Sequence, residues 1–205
     1  MKNLLQFLIF TCLLLSSAFA GPSTIIISEV LFDAQTPESA KEWIEIYNPT
    51  QNIINIGGFE LHDNSGAYTI ATGTQLNPNQ VMVFARSISG FQAEHGFTPD
   101  FGNLTLSLAN GGDQVSLQDA SARVIDFVSW KNYVPGWDLT AGNGQSIQRI
   151  SLGYTSQDWI SGQTPNPGNP APIESNAVPE PSSILLLGLG LCAFAIYQKK
   201  RKLTI

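Results

Sequence analysis

Between residues 24 and 151 the chain alternates short runs rich in Ile, Val, Thr and aromatics with Gly-, Asn- and Asp-containing turns, and this pattern excludes a helical core. The runs fall at 24–32, 42–48, 67–71, 80–86, 104–108, 114–117, 122–130 and 145–151. Gly57-Gly58, Asp63-Asn64-Ser65-Gly66, Asn77-Pro78-Asn79 and Asn110-Gly111-Gly112-Asp113 punctuate them. Short strands at this spacing, with no long periodic helical stretch between them, predict an all-β sandwich or barrel. One or two helical turns are expected over 87–95. From 162 to 177 the chain is rich in Pro, Asn and Gly without apolar periodicity and reads as a spacer, its Pro-rich part being 170–177.

The densest strand is Glu42-Trp43-Ile44-Glu45-Ile46-Tyr47-Asn48-Pro49. Period-two alternation sends Ile44 and Ile46 to one face and Trp43, Glu45 and Tyr47 to the other, so both faces carry bulk, as in an interior strand. A carboxylate at Glu45 that loses water needs a cation or hydrogen-bond donors. Arg149, on a later strand, is the expected partner.

Both ends carry targeting patterns. Lys2, an apolar core over 4–15, and the small residues Ala18 and Ala20 before Gly21 form an A-x-A signal peptide over 1–20, so the mature chain is expected to begin at Gly21. Cys12 lies inside that apolar core, which argues against a lipidated N-terminus. At the other end Val178, Pro179, Glu180 and Pro181 precede an apolar run over 184–197, and Lys199, Lys200, Arg201 and Lys202 follow it. As a single helix that run would cover roughly 21 Å of a roughly 30 Å hydrocarbon core, so spanning would need help from flanking residues. The basic cluster places the C-terminus in the cytoplasm and the globular part outside. This segment, 178–205, resembles the PEP-CTERM sorting signal of exported bacterial proteins. The resemblance implies recognition and removal of the tail by an exosortase-type membrane protease, followed by release to the cell surface or medium.

Residues 21–177 hold five basic and fifteen acidic residues, a formal charge of −10 that the basic tail conceals in the whole-chain value of −6. Such a surface repels phosphate backbones and anionic lipid, so nucleic-acid binding through a basic patch is disfavoured, while cation binding and simple solubility remain open. The two cysteines, Cys12 and Cys192, both lie in the terminal apolar segments, which leaves the domain without disulfides or thiolate metal ligands. Two isolated histidines, His62 and His95, and no H-E-x-x-H, G-x-S-x-G or phosphate-loop motif argue against an enzyme. Carboxylate pairs such as Glu42 with Glu45 and Glu60 with Asp63 arise by chance in so acidic a chain.

A second resemblance covers residues 23–169. Ile27-Ser28-Glu29-Val30, the 42–49 segment, Ile56-Gly57-Gly58-Phe59-Glu60-Leu61-His62-Asp63, Leu76-Asn77-Pro78-Asn79-Gln80 and Leu108-Ala109-Asn110-Gly111-Gly112-Asp113 occur in this order. The 126–130 strand, Ser146-Ile147-Gln148-Arg149 and Thr164-Pro165-Asn166-Pro167-Gly168 complete the series, which is similar to the lamin tail domain family. The resemblance implies an immunoglobulin-like β-sandwich over 21–169, flanked by the signal peptide and a single C-terminal hydrophobic helix. It supplies no catalytic residues. Phe59 stands where a Trp is most common in the family.

Two groups of residues are candidate binding sites. Asp63, Asn64, Asn110 and Asp113 sit in Gly-containing turns whose oxygens would suit calcium, the one cofactor considered; the competing reading is that Asp and Asn serve turn geometry. Trp130, Tyr133 and Trp137 could form a platform on which sugar rings stack, with Trp130 given to the core and Tyr133 and Trp137 exposed. The expected function is a non-enzymatic surface or matrix module that contacts exopolysaccharide or an envelope protein. The alternatives are a purely structural or adhesive envelope protein and an accessory subunit of an extracellular hydrolase.

Overall fold

The computed structural model describes residues 25–37 and 40–173. The expected cleavage residues Ala18, Ala20 and Gly21, the sorting residues Val178, Pro179, Glu180 and Pro181, and the apolar run 184–197 lie outside the described residues. Among the described residues no helix is long and apolar enough to cross a membrane.

Two antiparallel sheets face each other. The first contains β1 (Ile26–Asp33), β2 (Trp43–Tyr47), β7 (Val81–Ala85), β10 (Gln145–Arg149) and β11 (Trp159–Gln163) in the order β11-β10-β1-β2-β7. The second contains β4 (Glu60–His62), β5 (Ala67–Thr69), β8 (Asp113–Gln118) and β9 (Val124–Trp130) in the order β5-β4-β8-β9. A short ribbon pairs β3 (Ile54–Asn55) with β6 (Gln75–Leu76). The architecture is the expected immunoglobulin-like sandwich. Its core interleaves Ile44, Ile46, Val30 and Ile147 from the first sheet with Leu61, Val115, Leu117 and Val128 from the second.

A bulge in β1 decides which residues enter that core. The β1–β2 register slips between Ile27 and Glu29. Ahead of the slip Ile25 and Ile27 face inward, and beyond it Val30 and Phe32 do, so the inward parity switches from odd to even. The switch turns Glu29 outward, directly opposite Glu45 on β2, and Leu31 outward, opposite Trp43.

The outer face of the first sheet is therefore largely apolar at one end and acidic at the other, and each end has its own cover. A helix, α1 (Ile88–His95), capped by the Ser87 hydroxyl accepting from the Gly90 amide, packs Phe91 against Trp43, Leu31 and Val83. Gly90 permits the close approach, because a methyl group there would overlap the Ala40 carbonyl. The acidic end is covered by residues 164–169. The family resemblance puts 164–169 inside the domain, while composition alone reads everything from Gly162 as spacer. Instead Gly162 and Gln163 complete β11, and the residues after them are bonded to the sheet.

The 104–108 run, expected as a strand, forms no ladder. Its side chains do alternate, with Leu104, Leu106 and Leu108 buried between exposed neighbours. Its backbone donors go elsewhere: Leu104 N–H to the Ala85 carbonyl and Ser107 N–H to the Asp63 carboxylate. Alternation reports burial of one face, and a strand also needs a neighbour with free backbone groups.

Candidate functional site

The expected Glu45–Arg149 pair does not form, and parity explains why. Arg149 shares a face with Ile147, which points into the sandwich, whereas Glu45 shares a face with Trp43, which points out. Arg149 instead crosses to β9 and holds Asp126 with two bonds from Nη2, at 2.6 and 2.7 Å. Both side chains are fully excluded from solvent. The β1 bulge completes the network: the Ile27 N–H donates to Asp126 Oδ2 at 2.6 Å, and the Ile27 carbonyl accepts from Arg149 Nε at 2.9 Å. Burial raises the Asp126 carboxyl, while the guanidinium and the backbone donors act in the opposite direction.

Arg149 also shapes the surface. Its Nη1 donates to the Gly153 carbonyl at 2.6 Å, and its guanidinium lies 4.7 Å from the centre of the Trp159 ring. Asp158 closes the same turn by accepting from the Ser151 hydroxyl and from the Thr155 amide and hydroxyl. Tyr154 is displayed at its tip, 64% exposed.

Tyr133 lies on the adjoining loop and is 47% exposed. The two loops are joined by the Ser156 hydroxyl donating to the Gly136 carbonyl at 2.8 Å. Trp137, expected beside Tyr133 on the surface, is buried, with its ring edge-on to Phe127 at 5.3 Å. Left-handed backbone at Lys131 and Asn132 makes the loop double back, and the Asn132 N–H to Trp137 carbonyl bond, at 2.7 Å, returns Trp137 to the sheet. Trp130 is core, as expected: it stacks on Phe32 at 4.6 Å and donates from Nε1 to the Ala109 carbonyl. Tyr133 and Tyr154 are thus exposed aromatics on two hydrogen-bonded loops. No local signal marked Tyr154, because its display depends on Arg149 beneath it.

The acidic turns are brought near one another. Burial raises the Asp113 carboxyl, and the charge of Asp63 and a bond from the Asn64 backbone reach it. Their oxygens already accept backbone N–H groups. Asp63 takes Ser65, Gly66 and Ser107 at 2.6 to 2.7 Å, and Asp113 takes Ala109 and Gln114 at 3.0 and 2.8 Å. Asn110 donates from Nδ2 to Asp33 at 3.4 Å. Among the described residues no three His, Cys, Asp or Glu side chains are placed to hold a metal. These bonds are those of Asx-type turn geometry. Millimolar calcium and chelator are accordingly expected to leave the melting temperature unchanged, and a rise of several degrees with calcium would restore a metal to these turns.

His62 is bonded to Glu60 at 2.8 Å at the surface. His95 packs edge-on to Trp43 at 5.8 Å, and burial lowers its basicity. An open groove of about 280 Å³ lies among Tyr47, Pro49, Leu152 and residues 170–173, without an imidazole or carboxylate in its lining.

Comparison with known families yields two matches. A model of the Lamin Tail Domain matches residues 19–132, and one of the PEP-CTERM protein-sorting motif matches residues 177–202. No curated protein matches the chain.

Proposed function

The chain belongs to the lamin tail domain family and carries a PEP-CTERM sorting motif, so it is an exported protein sorted through its C-terminal segment by an exosortase-type enzyme, and from this premise we propose that the sandwich is a non-enzymatic module that binds glycan in the cell envelope. Before processing, the apolar run 184–197 holds the chain at the membrane with the sandwich outside. After processing, the sandwich stays at the cell surface or in the exopolysaccharide matrix.

The observation that carries the binding reading is the Tyr133 and Tyr154 pair on two hydrogen-bonded loops. A phenol offers an apolar ring face for a pyranose and a hydroxyl at its rim, and an acidic surface favours a neutral over an anionic polymer. Support for a binding rather than a catalytic role comes from the histidines, which are committed to Glu60 and to the Trp43 cluster rather than to a common site.

Co-sedimentation of the purified protein with exopolysaccharide and cell-wall fractions tests the proposal. Saturable binding is expected, weakened at least about tenfold in the Tyr133→Ala/Tyr154→Ala variant, as loss of two stacking rings at roughly 1 kcal/mol each would give. Binding that ignores both tyrosines would move the site elsewhere, and no binding to any fraction would leave the structural or adhesive role.

A further inference from the structure

Glu29 and Glu45 form a buried carboxyl pair that the binding reading does not use. They are directly opposite on β1 and β2, 1% and 0% exposed. Like charges so placed repel, and their water has been removed by the cover of residues 164–169. That cover is attached to the pair itself. Glu29 Oε1 accepts the Asn166 N–H at 3.1 Å, together with the Ser146 hydroxyl at 2.6 Å and Gln148 Nε2 at 3.0 Å. Glu45 Oε2 accepts the Gly168 N–H at 2.7 Å, and its Oε1 accepts the Ser28 hydroxyl at 2.6 Å. Gly168 reaches this position with φ of 87°, a conformation that side-chain-bearing residues rarely adopt.

We propose that residues 164–169 are a proton-controlled latch: they lie closed over Glu29 and Glu45 while the pair shares a single negative charge at most, and they open when both carboxyls ionise. Two effects compete at Glu45. Ionisation strengthens its bond from the Gly168 N–H, but it also places a second charge in a site without water. The second effect wins: burial, the largest cause, pushes Glu45 up to about 7 despite the Ser28 and Gly168 donors, and Glu29 and Asp100 push it the same way. Glu29 is also raised by burial. The groups whose charge reaches Glu45 are Glu29 on β1 and Asp100, which accepts the Val83 N–H of β7. On the other neighbours, β10 presents Ser146 and Gln148 to the pair, and the latch Thr164-Pro165-Asn166-Pro167-Gly168-Asn169 carries no charge. Among the described residues, none of the groups whose charge reaches Glu45 is a cation that would offset a second ionisation.

The latch lies just ahead of the sorting motif, which gives opening a consequence. Opening frees residues 164–169 from the sheet, a stretch of about 20 Å when extended, on the N-terminal side of the motif. Local alkalinity would thus lengthen the chain free to reach a membrane-embedded processing enzyme.

Hydrogen exchange of the 164–169 amides in the purified full-length chain, at pH 5 and pH 8, tests the latch. The pH dependence of the exchange chemistry cancels in the ratio of wild type to Glu45→Gln at each pH. The glutamine keeps an acceptor for Gly168 and cannot ionise. With Glu45 moving from an ordinary 4.5 when open to about 7 when closed, opening in the wild type should rise about 70-fold across this range relative to the variant. If Glu45→Gln loosens β2 itself, seen as lost protection of the 43–47 amides, Glu29→Gln serves in its place; it removes one charge of the pair but leaves Glu45 buried, so the slope should shrink without vanishing. Equal latch protection at both pH values in the wild type, or a wild-type pH slope that persists undiminished in either variant with an intact sheet, would overturn the proposal.

Discussion

Substituting Asp126 by alanine should cost the sandwich about 3–5 kcal/mol, the largest loss expected from any single side chain here. The reason is the orphan it leaves. Arg149 is fully buried between the sheets, its Nη2 has two bonds to Asp126, and the Ile27 N–H also ends on that carboxylate. The variant would hold an unpaired guanidinium and an unsatisfied backbone donor in a dry site. Denaturant unfolding followed by tryptophan fluorescence measures the cost. The converse change, Arg149→Met, leaves Asp126 with the Ile27 N–H but without a cation, and it also frees the Gly153 carbonyl that fixes the Tyr154 turn. It should therefore destabilise by a similar amount and disturb the proposed glycan contact. Replacing both at once, Asp126→Leu with Arg149→Met, should cost much less than the sum of the two, because no buried charge remains. If the single variants keep wild-type stability, the pair does not hold the sheets together.

The second large effect is a dependence of global stability on pH with a sign opposite to the usual carboxylate. Glu45 titrates at about 7 in the folded chain, against 4.5 for an ordinary glutamate, mainly because it is buried. A group raised in this way binds its proton more tightly when folded. Its contribution is complete below pH 4.5 and is lost as pH rises through 7. Between pH 5 and pH 8 the wild type should lose about 2–3 kcal/mol relative to Glu45→Gln. The comparison with the variant matters because Glu60, Asp119 and Asp158 are lowered by their hydrogen bonds and act in the other direction. Urea midpoints for both proteins at the two pH values give the difference directly. A difference that stays constant with pH would mean that Glu45 is ionised throughout, its two donors outweighing its burial.

The partners of charged residues were the least legible part of the chain. Glu45 was visible as a carboxylate between aromatics, and Arg149 as a lone cation on a late strand, yet each found a different partner. Strand alternation gives the face of each residue only until the first bulge. The slip between Ile27 and Glu29 reverses the parity of β1, and through it the Glu29–Glu45 pair faces outward while Ile27 bonds to Asp126 inward. Trp137 was misplaced for a related reason: two left-handed residues, Lys131 and Asn132, turn the loop back onto the sheet, and neither is a glycine that would announce such a turn.

The sequence by itself determined the all-β class, the two faces of 42–48, the helix over 87–95, the family and the sorting segment. These depend on local periodicity, turn residues and contiguous motifs, which the chain states in one dimension. Only the tertiary structure decided that Arg149 serves Asp126, that Trp137 turns into the core while Tyr154 is exposed, and that 164–169 lies bonded over Glu29 and Glu45. Each of these depends on which strands become neighbours and on where one residue is inserted into a ladder. The free energy of burying a charge resides in that long-range arrangement, as Arg149 and Asp126 show from 23 positions apart.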